Sequence, residues 1–249
     1  MNRTAFSLPD HSEYRTKGGL EVSRSVEQFT GGANRLDELI EHLDRRRGVV
    51  LSSGTTVPGR YESFDLGFSD PPLRLETSGS DFSLVALNAR GEVLIAFLGD
   101  ALREPCVVVT EKNAKRLDGH IVRGAAPVDE DQRTRRASVM SLVRDLVAAL
   151  GANDDPLLGL FGAFAYDLVF QIEDLVQKRA RESDQRDIVL YVPDRLLAYD
   201  RATGRGVVLS YEFAWNGKST AGLPRTSSES VYAKSPRQKQ HPHYQQFHH

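Results

Sequence analysis

The chain has 249 residues and a formal net charge of −2, and 40% of its residues are hydrophobic. This length suits one large domain or two small ones, and the apolar fraction is high enough for a core, so wholesale disorder is excluded. The near-zero charge argues against a dedicated nucleic-acid-binding protein, because such proteins usually carry a strongly basic face. A single cysteine, Cys106, excludes an intrachain disulfide framework and a multi-cysteine zinc site.

Neither a membrane span nor a secretory signal is predicted. The apolar stretches are short and interrupted, and no apolar run follows Met1. We therefore expect a cytoplasmic protein. Residues 1–19 are polar, with Pro9 and a glycine pair, which is typical of a flexible leader.

The first half of the chain mixes strands and helices. The predicted elements are a strand at 20–29, a helix at 34–46, a buried strand at 48–53, a long loop at 54–70, a hairpin at 73–77 and 82–87, and a helix at 92–102. In the helix at 34–46, Leu36, Leu39, Ile40 and Leu43 share one face. In the hairpin, apolar and polar residues alternate on both sides of a Ser-Gly-Ser-Asp turn.

The second half continues the pattern. The predicted elements are buried strands at 106–110 and 119–123, a helix at 133–150, a sheet-centre strand at 157–172, and strands at 187–192, 195–199 and 207–213. The strands cluster in antiparallel pairs rather than in strand-helix-strand repeats. The pattern predicts an α+β fold, with helices packed on a mixed, mainly antiparallel sheet.

Common catalytic motifs are absent from the sequence, which has no phosphate-binding loop, no zinc-protease helix and no nucleophile elbow. His42 and His120 are isolated, and a general base needs partnered geometry. Cys106 stands among valines, where a buried thiol is inert. We therefore predict no catalytic residue.

Two sets of charged residues in the sequence have a simpler interpretation than a metal site or an anion site. Glu62, Asp65 and Asp70 could be imagined as a metal cluster, but their spacing matches no carboxylate loop. Residues 45–47 are three arginines, which fit a solvated helix end better than an anion site. No metal site is predicted.

Two stretches carry more information than composition does. At 51–65 a strand ends in two hydroxyls, Ser52 and Ser53, and opens into a glycine-containing loop that can present polar groups to a small zwitterion. The alternative is a serine turn that closes the strand. At 159–168 glycines interrupt an apolar run, and Asp167 is either catalytic or the anchor of a turn or helix start.

These stretches resemble the N-terminal part of anthranilate synthase component I, especially the form fused to its glutamine amidotransferase. The matching segments, in family order, are Ser52-Ser53, Pro58-Gly59-Arg60-Tyr61, Asp70-Pro71-Pro72-Leu73, Asn88-Ala89-Arg90-Gly91, 159–168, Asp184-Gln185-Arg186-Asp187, Pro193-Asp194 and Gly222-Leu223-Pro224-Arg225. No single segment is decisive, but together they cover residues 18–225.

The resemblance implies a regulatory half that packs against a chorismate-binding half and helps to form a pocket for feedback inhibition by L-tryptophan. The family's Leu-Glu-Ser motif contacts tryptophan, and its positions here are Leu51, Ser52 and Ser53. Ser52 replaces the glutamate, as it does in the fused members, which leaves its role open. Ser53 is either a ligand contact or a strand-end cap.

The resemblance also implies the position of the family's catalytic groups. The family's Mg²⁺-binding glutamates, catalytic histidine, chorismate-binding loops and amidotransferase triad all follow the segment that ends at Arg225. We therefore expect residues 20–225 to be catalytically silent on their own. A half that normally meets a partner exposes apolar surface, so we also expect oligomerisation or poor solubility.

Two other functions stay open at this point. One is a stand-alone module that senses an amino acid or binds a separate partner chain. The other is a relative from the aminodeoxychorismate or phenazine branch of the same superfamily.

The end of the chain departs from the family. Residues 226–249 contain one acidic residue, Glu229, and four of the seven histidines of the chain. Composition alone would allow a metal-binding tail. Because the resemblance stops at Arg225, we expect a divergent, disordered tail instead.

Overall fold

A computed structural model describes residues 8–31, 33–52, 64–122, 137–173, 175–176, 178, 181–182 and 184–226. The strands in these ranges are β1 (His11–Arg15), β2 (Glu21–Thr30), β3 (Gly48–Leu51), β4 (Asp65–Ser69), β5 (Leu73–Ser78), β6 (Asp81–Ala86), β7 (Val107–Lys112), β8 (Arg116–Ile121), β9 (Phe161–Phe164), β10 (Ile188–Val192), β11 (Arg195–Asp200), β12 (Arg205–Trp215) and β13 (Lys218–Ser219). The helices are α1 (Ala33–Leu43), α2 (Ala89–Ala101), α3 (Val139–Leu150) and α4 (Val169–Ile172), with a 3₁₀ turn at Tyr166–Leu168.

The described strands form two sheets. The first has the order β1-β2-β12-β11-β4-β3, with β13 beside β12, and the second has the order β7-β8-β6-β5-β10-β9. All strand pairs among the described residues are antiparallel. The α+β class is confirmed, and the structure divides into two sheets what the sequence pattern predicted as one.

One core of buried apolar side chains joins the two sheets. In β5, Leu73 and Leu75 are buried and alternate with half-buried polar residues, as a strand with one solvated face requires. Phe68 on β4 meets Phe161 and Tyr191 of the second sheet edge-on, with ring centroids 6.1 and 6.2 Å away. Helix α2 contacts strands of both sheets and buries its apolar residues between them.

Helix α1 lies on the other face of the first sheet and has its own small apolar cluster. Leu36 is buried there against Leu197 of β11 and Val208 of β12. Gly67 makes this contact close, because a Cβ atom there would lie 2.5 Å from Leu39 Cδ2. Ile40, which the sequence pattern placed on the buried face, is 47% exposed.

Three predictions for individual segments were wrong. Residues 11–15 of the predicted flexible leader form β1, which pairs with β2 along five residues. Part of the predicted loop at 54–70 is β4, which lies inside the first sheet because β3 and β11 flank it. The predicted sheet-centre strand at 157–172 is the four-residue edge strand β9, followed by the 3₁₀ turn and α4.

The strand predicted at 106–110 exists as β7 but is not buried. Val108 and Val109 are 37% and 40% exposed, because β7 is the edge strand of the second sheet. No helix in the described ranges is long and apolar enough to cross a membrane.

Candidate functional site

The residues that the resemblance assigns to tryptophan binding lie where β3 ends. Leu51 is the last residue of this strand, pairs with Leu66 of β4 and is 43% exposed. Ser52 follows it directly, and Ser53 lies outside the described residues, as does the loop up to residue 63. The structure therefore places Leu51 and Ser52 at the open edge of the first sheet.

An ion pair stands beside Ser52. Arg201, in the turn after β11, donates from Nε to the carboxylate of Asp65 and from Nη2 to Ser52 Oγ at 3.2 Å. Asp65 is 2% exposed, and its hydrogen bond raises the pKa of Arg201 above the usual value. The Ser52 hydroxyl therefore lies next to an arginine whose charge is balanced by Asp65 and whose guanidinium still has unused N–H donors.

Sequence reasoning missed Arg201. The residue stands 149 positions from Ser52 in a turn that the pattern identified only as a change of direction. Its partner Asp65 was considered only as a metal ligand. A charged residue directly after a predicted strand was the one signal available.

Three of the family-like segments meet in a buried ionic cluster. Arg90, in the first turn of α2, is 1% exposed and donates from Nε to the carboxylate of Asp194. Its Nη1 donates to the carbonyl oxygen of Thr220 at 2.8 Å, and its Nη2 to that of Tyr211 at 2.8 Å. Nη2 also lies 3.0 Å from Glu212 Oε2. The guanidinium is thus surrounded by acceptors from three segments: the β10–β11 turn, β12 and the chain after β13.

Arg225 completes this arginine cluster, which comprises Arg90, Asp194, Glu212 and Arg225. Arg225 Nη1 lies 2.9 Å from Asp194 Oδ2, and Nη2 lies 2.6 Å from Glu212 Oε1. Asn88 caps α2 and donates to the carbonyl oxygen of Arg225 at 3.3 Å. Burial raises the pKa of Asp194 even though the two arginines act to lower it.

The position of the cluster explains what these segments do. Asn88-Ala89-Arg90-Gly91, Pro193-Asp194 and Gly222-Leu223-Pro224-Arg225 tie the start of α2, the β10–β11 turn and the chain after β13 to one another. Arg90 and Asp194 face each other inside the protein, whereas the side chains of Arg225 and Glu212 are 28% and 35% exposed. The contacts of these segments hold the fold together.

A second buried carboxylate, Asp155, lies beneath β1 and β2. It is 2% exposed and accepts hydrogen bonds from Tyr14 Oη at 2.8 Å, Arg24 Nη1 at 3.0 Å and Tyr211 Oη at 3.4 Å. The backbone N–H of Leu157 donates at 2.9 Å to Oδ1, the oxygen that also accepts from Tyr211. Burial, followed by the charge of Asp155, raises the pKa of both Tyr14 and Tyr211.

A third buried carboxylate anchors the segment around β9. Asp187 is fully buried and accepts from Gly79 N at 2.7 Å, Gln171 Nε2 at 3.0 Å and Arg181 Nη1 at 3.1 Å. Asp167, considered above as catalytic, accepts from Gln185 Nε2 within the 3₁₀ turn that precedes α4. Its contacts are those of a turn anchor.

The remaining candidates do not come together as a site. Asp65 is bound to Arg201 and Asp70 to Arg46 at 3.3 Å, and Glu62 lies outside the described residues, as do the four histidines of 241–249. Within the described ranges no three His, Cys, Asp or Glu side chains are close enough to hold a metal ion.

Comparison with known proteins relates this chain to anthranilate synthases. It is 42% identical over 210 residues to anthranilate synthase of Azospirillum brasilense, a match that covers 84% of this chain and 29% of the relative. It is 30% identical over 212 residues to the pyocyanine-specific anthranilate synthase component 1 of Pseudomonas aeruginosa, covering 82% of this chain and 35% of that protein. Anthranilate synthase component 1 of Escherichia coli is 29% identical over 157 residues, or 62% of this chain and 30% of the relative.

No family model matches the chain. The sequence relatives nevertheless share one description, and the chain spans about a third of their length. The chain is a part-length relative of the anthranilate synthases. More specifically, it is homologous to part of anthranilate synthase component I.

Proposed function

We propose that this chain is the tryptophan-responsive, regulatory part of an anthranilate synthase, the enzyme that makes anthranilate and pyruvate from chorismate and an amino group donor. The observation that carries the proposal is the homology to an anthranilate synthase over 84% of the chain. The end of β3 supports it, because Leu51 and Ser52 occupy the positions of the family's tryptophan-contacting motif and lie exposed beside Arg201.

The physical argument for tryptophan rests on charge and shape. L-Tryptophan carries a carboxylate, and the guanidinium of Arg201 has five N–H donors, of which it uses two on Asp65 and Ser52. Leu51 offers apolar surface next to these donors. A carboxylate bound by Arg201 and Ser52 would leave the indole ring near Leu51.

The chain by itself is proposed to be catalytically silent. Elimination of pyruvate from chorismate needs a metal ion to bind carboxylates and a positioned general acid or base. Each buried carboxylate described above is already bound to an arginine or to several donors. We propose that the chorismate-binding half supplies Mg²⁺ and the catalytic groups, and that the glutamine amidotransferase region supplies ammonia.

An activity assay tests this part of the proposal. The purified chain is mixed with chorismate, an ammonium salt and Mg²⁺, and anthranilate is followed by its fluorescence. No anthranilate above the buffer blank is expected. Anthranilate formed in proportion to protein concentration would overturn the proposed silence.

The anthranilate branch is favoured over the two related branches. The Azospirillum brasilense relative, at 42% identity, is named simply as an anthranilate synthase, and the pyocyanine-specific relative is more distant at 30%. Calorimetric titration of the chain with L-tryptophan distinguishes a tryptophan-responsive part from a relative that does not respond to this amino acid.

A further inference from the structure

A cavity of about 380 Å³ lies between α1 and the outer face of the first sheet. Its volume is within the range of small-molecule binding sites. Helix α1 contributes one stripe of side chains, Arg35, Glu38, Leu39 and His42, which stand three or four residues apart and therefore share a face. None of the lining residues belongs to 51–53, so this cavity is separate from the end of β3.

The floor of the cavity is apolar. Leu197 and Val208 rise from adjacent strands, and Leu39 meets them from the helix. These three side chains belong to the small cluster that holds α1 on the sheet, so the floor is anchored by packing. Gly67 contributes no side chain to the floor, and Leu39 Cδ2 packs against its backbone where a Cβ atom would stand.

The rim of the cavity is charged, and part of that charge is neutralised internally. Arg35 donates to Glu27 at 3.0 Å, and its guanidinium lies 4.3 Å from the centroid of the Phe29 ring. This pair needs no ligand, because each charge already has its counter-ion.

Three other rim side chains differ from that pair. Arg195, Glu38 and His42 line the cavity, and none of the three has a side-chain hydrogen bond or ion pair with another described residue. Arg195 comes from β11 and Glu38 from α1, so a positive and a negative group approach the cavity from different elements.

We propose that this cavity binds an apolar α-amino acid as its zwitterion. The guanidinium of Arg195 receives the carboxylate, for which its planar donor fork is suited, and His42 adds a further donor. The carboxylate of Glu38 receives the ammonium group. The apolar side chain lies on Leu39, Leu197 and Val208. A ligand with only one of the two charges would leave Arg195 or Glu38 without a partner.

This inference does not rest on the proposed function at the end of β3. It concerns different residues, and L-phenylalanine rather than L-tryptophan is the probe. The two proposals can therefore be refuted independently.

The test is a calorimetric titration of the full chain with L-phenylalanine and two analogues. Phenylalaninamide lacks the carboxylate, and 3-phenylpropanoate lacks the ammonium group. L-Phenylalanine is expected to bind, and each analogue to bind about tenfold more weakly, as the loss of one charged hydrogen-bonding partner implies.

Variants of the protein then test which residue binds each charged group of the ligand. Arg195→Gln is expected to weaken L-phenylalanine about tenfold without further weakening phenylalaninamide, and Glu38→Gln to weaken L-phenylalanine about tenfold without further weakening 3-phenylpropanoate. Arg205→Gln is the matched control, because this exposed arginine on β12 does not line the cavity.

Three outcomes would overturn the proposal. The first is no binding of L-phenylalanine at millimolar concentration. The second is binding that Arg195→Gln and Glu38→Gln leave unchanged. The third is binding that Ser52→Ala abolishes, which would indicate that the ligand binds at the end of β3 instead.

Discussion

Arg90 and Asp194 form a buried ion pair between residues that stand 104 positions apart in the chain. Arg90 begins α2, and Asp194 lies in the turn between β10 and β11, so the pair connects the helix to both sheets. Because neither side chain is more than 2% exposed, each charge depends on the other for its stabilisation. Arg225 is the second counter-ion of Asp194, and Glu212 is that of Arg90.

Asp194→Asn is therefore expected to destabilise the protein by about 3–5 kcal/mol, because it leaves the Arg90 charge buried without its main counter-ion. Urea unfolding measures the effect through the fluorescence of Trp215, the single tryptophan, whose ring lies 5.1 Å from that of Phe97. The control is Glu27→Gln, which removes an exposed ion pair and should cost no more than about 1 kcal/mol. Equal effects of the two variants would show that the arginine cluster contributes no special stability.

Stability should fall at alkaline pH because of the tyrosines around Asp155. Burial raises the pKa of Tyr14 and Tyr211 above the value of about 10 that the unfolded chain has. The unfolded chain then releases these protons as the pH passes 10 while the folded chain keeps them, so the stabilisation is complete below that pH and is lost above it. The slope is about 1.4 kcal/mol per pH unit for each tyrosine.

Chemical denaturation at a series of alkaline pH values checks this slope. Tyr14→Phe should lower it by the contribution of one proton, whereas Tyr166→Phe, at a side chain that is 90% exposed, should leave it unchanged. A free energy of unfolding that stays constant above pH 10 would contradict the assigned burial of both phenols.

Gly91, within a family-like segment, is expected to tolerate no side chain. A Cβ atom there would lie 2.1 Å from the carbonyl oxygen of Pro72 and 2.9 Å from Ala86 Cα. Gly91→Ala should therefore push α2 away from the hairpin and cost about 1–3 kcal/mol or more. At Gly159 a Cβ atom would meet no other atom within 4 Å, so Gly159→Ala should change stability by no more than about 0.5 kcal/mol. Similar melting temperatures for both variants would contradict this difference.

Local sequence patterns predicted the elements in which buried and exposed residues alternate regularly along the chain. The hairpin of β5 and β6 was predicted because alternation and turn residues coincide at 73–87. Strand β4 was missed because Asp65 and Gly67 interrupt the alternation of apolar and polar residues. Asp65 is explained by its ion pair with Arg201 and Gly67 by the close packing of Leu39, and both partners are distant in sequence. The apolar run at 157–172 indicated a central strand, but whether a strand lies in the centre or at the edge depends on its neighbours and not on its composition.

The candidate site also depends on contacts between residues that are distant in sequence, which local patterns do not predict. The sequence pattern predicted Leu51 and Ser52 at the end of a strand, where the structure has them, whereas no local pattern pairs Ser52 with Arg201. Their role in tryptophan binding stays a prediction. The arginine cluster was equally hidden, since Arg90, Asp194 and Arg225 read as ordinary surface charges until the fold brings them together. Charged residues inside a protein are identified by their partners, and those partners are distant in sequence.

The proposal that this chain responds to tryptophan is tested most directly by calorimetric titration of the full chain with L-tryptophan. One site with a dissociation constant on the order of 1 µM, or about −8 kcal/mol, is expected. Ser52→Ala should weaken it about tenfold through the loss of a hydrogen bond to a charged group, and Arg195→Gln should leave it unchanged. No heat of binding at millimolar L-tryptophan, or an affinity that Ser52→Ala does not alter, would contradict a tryptophan pocket at the end of β3.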